Sequence, residues 1–184
     1  MKKKIGSKNL YYPTLTILAG TIVNGKINYE AIAWGGILGM KHIYIASNIL
    51  HYSNAGIKEN KTFSVNIPSA ALVKETDFCG IYSGKDNDKS EIFKNFYGEL
   101  GTAPMIEECS INMECELVQT FIIEDHEIFV GRIKETYCDE EYMTNGKVDL
   151  KKVNPLLFSF HDASYWSIGE HIAKSWSVGR KEKS

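Results

Sequence analysis

The chain has few of the residues that divide a sequence into parts. It holds only four prolines, Pro13, Pro68, Pro104 and Pro155, and no Gly/Ser-rich stretch, internal repeat or low-complexity tract. One domain spanning residues 1–184 is therefore expected, and a chain of this size can bury a proper core. No run of about 18 apolar residues occurs, so no helical membrane span and no membrane partner are expected. The opening MKKKIGSKNLYYP carries lysines with no apolar stretch after them. It does not read as a secretory signal, and the expected location is cytoplasmic. Charge of one sign is also missing. The 21 basic and 23 acidic side chains leave a formal charge of −2, unlike the clustered basic face of a nucleic-acid binder. The four cysteines, Cys79, Cys109, Cys115 and Cys138, form no CxxC pair. His42, His161 and His171 show no metal spacing either. Neither a metal site nor a disulfide scaffold is expected, and the thiols read as reduced and structural. No GxGxxG is present, so no Rossmann nicotinamide site is expected.

What is present is mostly strand. Residues 15–23 (LTILAGTIV) are rich in β-branched side chains and end at Asn24-Gly25, a two-residue hairpin signal, with residues 26–34 as the returning strand. Residues 42–48 (HIYIASN) and 61–67 (KTFSVNI) alternate with period 2, and Pro68 stops the second. Residues 110–123 and 126–138 read as two long strands around a turn at Glu124-Asp125, and residues 156–161 as a last short strand. Helices are few: residues 54–60 behind a Ser53 N-cap, residues 70–78, and residues 88–97 with Asp88 as cap and Ile92, Phe93 and Phe96 on one face. The fold class is mainly β, a closed or nearly closed barrel with short helices, because closure removes exposed strand edges.

Three pieces between residues 28 and 89 carry the chemistry. In NYEAIAWGG, the small residues Ala31, Ala33, Gly35 and Gly36 thin a strand. A flat ring could then approach the backbone, with Trp34 as a wall; a tight barrel corner is the competing reading. Next, Ser47 and Asn48 end a strand just before a helix start at Ser53. Free N–H groups and the helix dipole suit a phosphate there, and simple capping is the alternative. Last, in DFCGIYSGKDNDK, Ser83-Gly84 makes a turn, and Lys85 and Lys89 bring cations suited to a dianion; a solvated loop is the alternative.

At these residues the sequence resembles the flavin reductase-like proteins of the FMN-binding split-barrel group, and among them the flavoredoxin-type members. The resemblance runs over residues 14–179. It is carried by NYEAIAW, YSNAGIKENKTFSVNIPS and DFCGIYSGKDNDK, with support from EDHEIFVGRI and YWSIGE. It implies a homodimeric split barrel with FMN near the subunit interface. Asn28, Ala31, Ile32, Ala33 and Trp34 would flank the isoalloxazine. Ser47, Asn48, Ser53 and Lys89 would hold the ribityl phosphate, Tyr52 would also contact the cofactor, and His126, beside Asp125, would sit near the flavin and nicotinamide.

Two departures from the family pattern stand out. Ala31 and Ala33 replace hydroxyl residues, so fewer side-chain hydrogen bonds reach the ring. An arginine common on the strand IYIASN is absent, so Lys41, Lys58 or Lys89 must supply the phosphate charge. His51 reads as packing beside the helix start. Tyr165 and Trp166 read as barrel core or dimer contacts, with cover over the ring as the alternative. The implied activity is an FMN oxidoreductase that passes electrons from NADH or NADPH to a flavin, a redox partner protein or a small acceptor. The alternatives are an FMN electron carrier without NAD(P)H activity and a cofactor-free dimeric barrel.

Overall fold

The computed structural model describes residues 1–180. The central feature is a seven-stranded antiparallel sheet. Its strands are β2 (Ile17–Val23), β3 (Lys26–Ile32), β4 (Gly35–Gly39), β5 (His42–Asn48), β6 (Thr62–Ile67), β9 (Ile111–Ile123) and β10 (His126–Cys138). They run in the spatial order β3-β2-β6-β9-β10-β5-β4. The sheet curls back on itself, because Trp34, just past β3, accepts a 2.7 Å backbone hydrogen bond from Ala46 of β5. The expected barrel is the observed one.

The hairpin between β2 and β3 turns at Asn24 and Gly25, both with positive φ, as the twist of a two-residue turn demands. The β9–β10 hairpin turns at Glu124, also with positive φ. The returning strand β3 stops at Ile32 rather than Trp34, because the chain there switches its pairing to β5.

Smaller strands complete the wall. β1 (Thr14–Leu15), β13 (Leu157–Ser159) and β14 (Ser164–Trp166) form a three-stranded sheet. β7 (Asn95–Phe96) pairs with β8 (Met105–Ile106), and β11 (Met143–Thr144) with β12 (Lys147–Val148). The last predicted strand is thus only three residues long, and β14 behind it is an addition to the expected list.

Two apolar clusters fill the fold. Ile17, Ile45, Phe63, Val65, Cys115 and Phe129 pack inside the barrel. Leu18, Tyr29, Cys79, Phe93, Ile106 and Cys109 pack outside β2 and β3. Strand β2 is therefore buried on both faces, which is why its sequence is an apolar run rather than an alternation.

Helix α1 (Ser53–Asn60) docks on β2 through Gly56, where an added Cβ would fall 2.3 Å from the Ile22 carbonyl. Helix α2 (Val73–Ile81) follows a 3-10 turn at Ala70–Leu72, extending the expected helix by three residues. A short helix α3 (Leu150–Val153) is capped by Asp149, which accepts from the Lys151 N–H.

The helix expected over residues 88–97 does not form. Asp88 takes the Ser90 N–H and hydroxyl onto its own carboxylate, and this local turn competes with helical bonding. Phe93 instead meets the Tyr29 ring edge-on at 5.6 Å, and residues 95–96 join a strand pair.

Candidate functional site

Two cavities adjoin where β3, β5, α2 and the segment before α1 meet. The larger is about 450 Å³ and the smaller about 160 Å³. They share Glu30, His51, Gly80 and Ile81 as wall residues, so together they make one elongated depression.

The larger cavity is walled mostly by apolar surface. Ala31, Ile32, Ala33 and Trp34 come from the end of β3, and Ala46, Ser47 and Asn48 from the end of β5. His126 opens β10 directly opposite Asn48 in register. Trp34 packs against the His126 ring at 4.5 Å and the Phe160 ring at 5.6 Å, forming an aromatic side wall. The floor is thin because α2 comes close to β3: a Cβ on Gly80 would lie 3.4 Å from that of Ala31. The rim is braced by Tyr165 on β14, whose hydroxyl donates to Asp77 on α2 at 3.0 Å. Burial and that bond push the Tyr165 phenol up to about 12, so it keeps its proton.

The smaller cavity is polar. Asn28, Tyr52, Ser53, Ser83, Gly84 and Lys89 line it beside the shared residues. Asn28 Nδ2 donates to Ser53 Oγ at 2.8 Å. Gly84 lies so close to Asn28 that a Cβ there would fall 1.8 Å from Asn28 Oδ1, so any side chain would displace the Asn28 amide.

Asn28, Ala31, Ile32, Ala33, Trp34, Ser47, Asn48, Tyr52, Ser53, Lys89 and His126 all line one cavity or the other, but several are engaged differently from expectation. Ser53 is not an N-cap. It lies inside the first turn of α1, the cap position falls on Tyr52, and no side chain caps the helix. Lys89 is only 3% exposed, and its ammonium donates to the carbonyls of Tyr29 (2.8 Å) and Cys79 (3.0 Å). Burial holds its pKa below the usual lysine range, with Cys79 and Glu30 acting the other way. It lines the cavity with two of its three N–H donors already used.

Lys41 and Lys58 line neither cavity. Lys58 instead pairs with Glu127 at 3.0 Å. Lys85 sits on the outer side of the Ser83 turn, where its N–H is held by Ser83 Oγ. Gly35 and Gly36 are also outside the site. They give room to Tyr44, whose carbonyl and ring would meet a Cβ at 3.0 and 2.9 Å. Trp166 is more than half exposed and lines neither cavity, whereas Tyr165 does line the larger one.

At the junction of the cavities lies a cluster that the sequence reading passed over. Glu30 is 92% buried by its 8% exposure. Its Oε1 accepts from Ser47 Oγ (2.9 Å) and from His51 Nδ1 (2.5 Å), while Oε2 is buried without a partner. The signal was available, since Glu30 follows Asn28 by two residues and so shares its face of β3. The bond to Glu30 raises the His51 pKa, against the opposing effects of partial burial and Lys89. At the other end of the site, His126 Nδ1 donates to Asp125 Oδ1 at 2.7 Å, leaving Nε2 free of that bond. Burial pushes the Cys79 thiol up to about 11, so it stands as a neutral group rather than a nucleophile. Among the described residues no cluster of three or more His, Cys, Asp or Glu could hold a metal ion.

A family model described as "Flavin reductase like domain" matches residues 38–167. The chain belongs to the flavin reductase-like family. The match covers well over half of its length and ends just past Trp166, so it takes in β5, β10 and the His126 and Phe160 part of the aromatic wall. Similar solved structures agree. Flavoredoxin from Methanosarcina acetivorans is 41% identical, with a TM-score of 0.95 and 98% of each chain covered. Flavoredoxin of Desulfovibrio vulgaris (Miyazaki F) is 34% identical, with a TM-score of 0.90 over 98% of this chain and 100% of that one. An FMN-binding protein from Thermus thermophilus shares the fold at a TM-score of 0.80, with 20% identity over 95% and 97% of the two chains. This flavin reductase-like chain is thus a split barrel, with its cavities at the open end of the β3–β5 seam.

Proposed function

We propose that the joined cavities hold FMN and that the chain, as one domain over residues 1–184, is an NAD(P)H-dependent flavin oxidoreductase. The observation that carries this reading is the shape of the depression. An apolar, aromatic-walled half suited to a flat ring continues past Glu30 and His51 into a narrow polar half. The larger half alone falls within the volume range of about 300–1,000 Å³ usual for small-molecule sites. The donor chemistry fits too: hydroxyls of Ser47 and Ser53, the Asn28 amide and the Lys89 ammonium all lie along it.

Bound FMN would supply the redox chemistry, taking a hydride from NADH or NADPH and returning two electrons to a flavin, protein or small-molecule acceptor. The protein's own part is binding and orientation. Ala31 and Ala33 keep the strand surface thin, so ring contacts there rest on backbone groups. Trp34 and Phe160 flank the space with aromatic faces. His126 is the catalytic candidate. A carboxylate can only accept, so Asp125 fixes the Nδ1 proton and presents Nε2 as the available nitrogen. The pair also ties to Asn48, whose Nδ2 donates to Asp125 Oδ2 at 3.4 Å. A nicotinamide would stack on the open side and leave readily.

A second reading is favoured by the 41% identity to a flavoredoxin: an FMN electron carrier with no NAD(P)H activity of its own. Stopped-flow bleaching of the FMN-loaded protein separates the two. Bleaching by NADH or NADPH on the second timescale supports the oxidoreductase, and bleaching only by a reduced protein partner supports the carrier. Failure to take up FMN at all would remove both.

The same proposal includes a cytoplasmic homodimer. Ile37 and Met40 on the β4–β5 hairpin are 84% and 99% exposed, and Phe121, Ile122 and Ile123 are exposed at the tip of the β9–β10 hairpin. Apolar surface of this kind is rarely left to water. Light scattering should give twice the 20.8 kDa chain mass, and a monomer would count against it. No helix among the described residues is long and apolar enough to cross a membrane.

A further inference from the structure

Resting on the FMN reading, we propose that the His51 imidazole, buttressed by the buried Glu30 carboxylate, is the ligand-facing cation at the junction of the two cavities and selects phosphorylated flavin over uncharged riboflavin.

Three observations lead there. The first concerns Lys89, the only lysine among the described residues that lines either cavity, which spends two donors on backbone carbonyls. The second is the poor satisfaction of Glu30. Ser47 and His51 share its Oε1, and Oε2 has no partner. A buried carboxylate so placed needs a compensating positive charge. It also repels an anionic ligand unless that charge is present. The third is the geometry of His51. Its Nδ1 must be the donor toward Glu30, and Nε2 has no hydrogen-bond partner among the described residues. Its side chain is 51% exposed and lines both cavities. When Nε2 carries its proton, the ring offers the ligand both a donor and a charge.

The groups facing His51 decide how this charge responds to pH. Glu30 on β3 favours the imidazolium, and Lys89 opposes it. Ser47 on β5 is neutral, and Cys79 on α2 stays a thiol. Asp77 on α2 is engaged by Tyr165. On β10, His126 is engaged by Asp125 and Glu127 by Lys58. Tyr52 and Tyr82 line the smaller cavity beside His51. As pH rises and His51 loses its proton, the junction loses the positive charge that faces the ligand.

The experiment is a pair of titrations, FMN and riboflavin, followed by quenching of flavin fluorescence in the apo-protein between about pH 5.5 and about pH 8.5. In the unmodified protein the preference for FMN should fall by roughly tenfold across this range, the scale of one lost charge contact of about 1.4 kcal/mol. His51→Gln should show a low preference with no such fall. Ionisation of the phosphate itself, near pH 6, is common to both proteins and cancels in the comparison. Glu30→Gln should move the fall to lower pH. If that variant does not fold, NMR titration of the His51 ring in the unmodified protein reads the same link, and a pKa at or below the ordinary histidine value overturns the proposal. So does a His51→Gln protein that keeps the full preference and its pH course. Equal uptake of both flavins at every pH overturns this proposal and leaves flavin binding intact. Uptake of neither would overturn the FMN reading and this inference together.

Discussion

The two halves of the depression are built on opposite principles. The wide half is made by leaving things out: alanine at positions 31, 33 and 46, glycine at 80, and aromatic rings only at the edges. The narrow half is made by filling space with polar groups that bond one another: Asn28 to Ser53, Lys89 to two carbonyls, and Glu30 to Ser47 and His51. A change in the wide half should therefore act on the ligand and spare the fold. A change in the narrow half should act on the fold as much as on the ligand, because each buried group leaves an orphan when its partner goes.

The sharpest way to break that contrast is to fill the wide half. Ala33→Phe should lower FMN affinity by about 100-fold or more, near 3 kcal/mol, with an unchanged urea midpoint. Equilibrium fluorescence titration and urea denaturation check the two sides. A large loss of stability would show that the wide half is not the empty space we take it to be.

In the narrow half, Lys89→Met should cost about 1–3 kcal/mol of folding stability, since the Tyr29 and Cys79 carbonyls lose their donor. Ser53→Ala should cost slightly less within the same range of about 1–3 kcal/mol, since only the Asn28 amide is orphaned. Urea denaturation of both apo-proteins measures this. If either variant weakens FMN binding but leaves stability untouched, the narrow half behaves like the wide one and the contrast fails.

His126→Ala sits at the rim. It should slow NADH- or NADPH-driven bleaching by roughly tenfold, at the low end of acid–base contributions, with affinity for FMN changed little. Equal rates in variant and parent would remove the catalytic role.

The smallest expected effect is the pH dependence of stability from the Glu30–His51 pair. The folded-state pKa of His51 is raised. Its stabilising contribution is therefore complete below the ordinary imidazole value of about 6.5 and is lost as pH rises through the folded value. His51→Gln should lower stability on the acidic side of that window and not on the basic side. The side chain is half exposed, so solvent screening keeps the effect below about 1 kcal/mol. Thermal melts at paired pH values test the sign.

Much of the frame could be read from residue order. Asn24-Gly25 and Glu124-Asp125 marked their hairpins because turn geometry is local. The alternation in HIYIASN and KTFSVNI marked β5 and β6 because one face of each strand packs into the barrel. The candidate ligand residues were legible as a group, because the sequence places them at the ends of adjacent elements. Their individual duties were less so. Ser53 looked like a cap, yet Asn28, 25 residues away, takes its hydroxyl. Lys89 looked like a surface cation on a Gly-Asp-Asn loop, yet the Tyr29 and Cys79 carbonyls draw it inside. Residues 88–97 had a helical pattern of apolar side chains, and Asp88 overrode it through a bond spanning two residues. Glu30 went unread because a carboxylate on a strand usually faces water.

The order of residues alone determined the antiparallel barrel, its two hairpin turns, the family and the span that lines the two cavities, since these follow from periodicity, turn chemistry and local motif. Only the tertiary structure decided which polar groups meet. Closing the seam from Trp34 to Ala46 brings the end of β3 beside that of β5, and sets the Glu30 carboxylate against Ser47 and His51. Such partnerships depend on distances across the barrel, and no spacing along the chain encodes them.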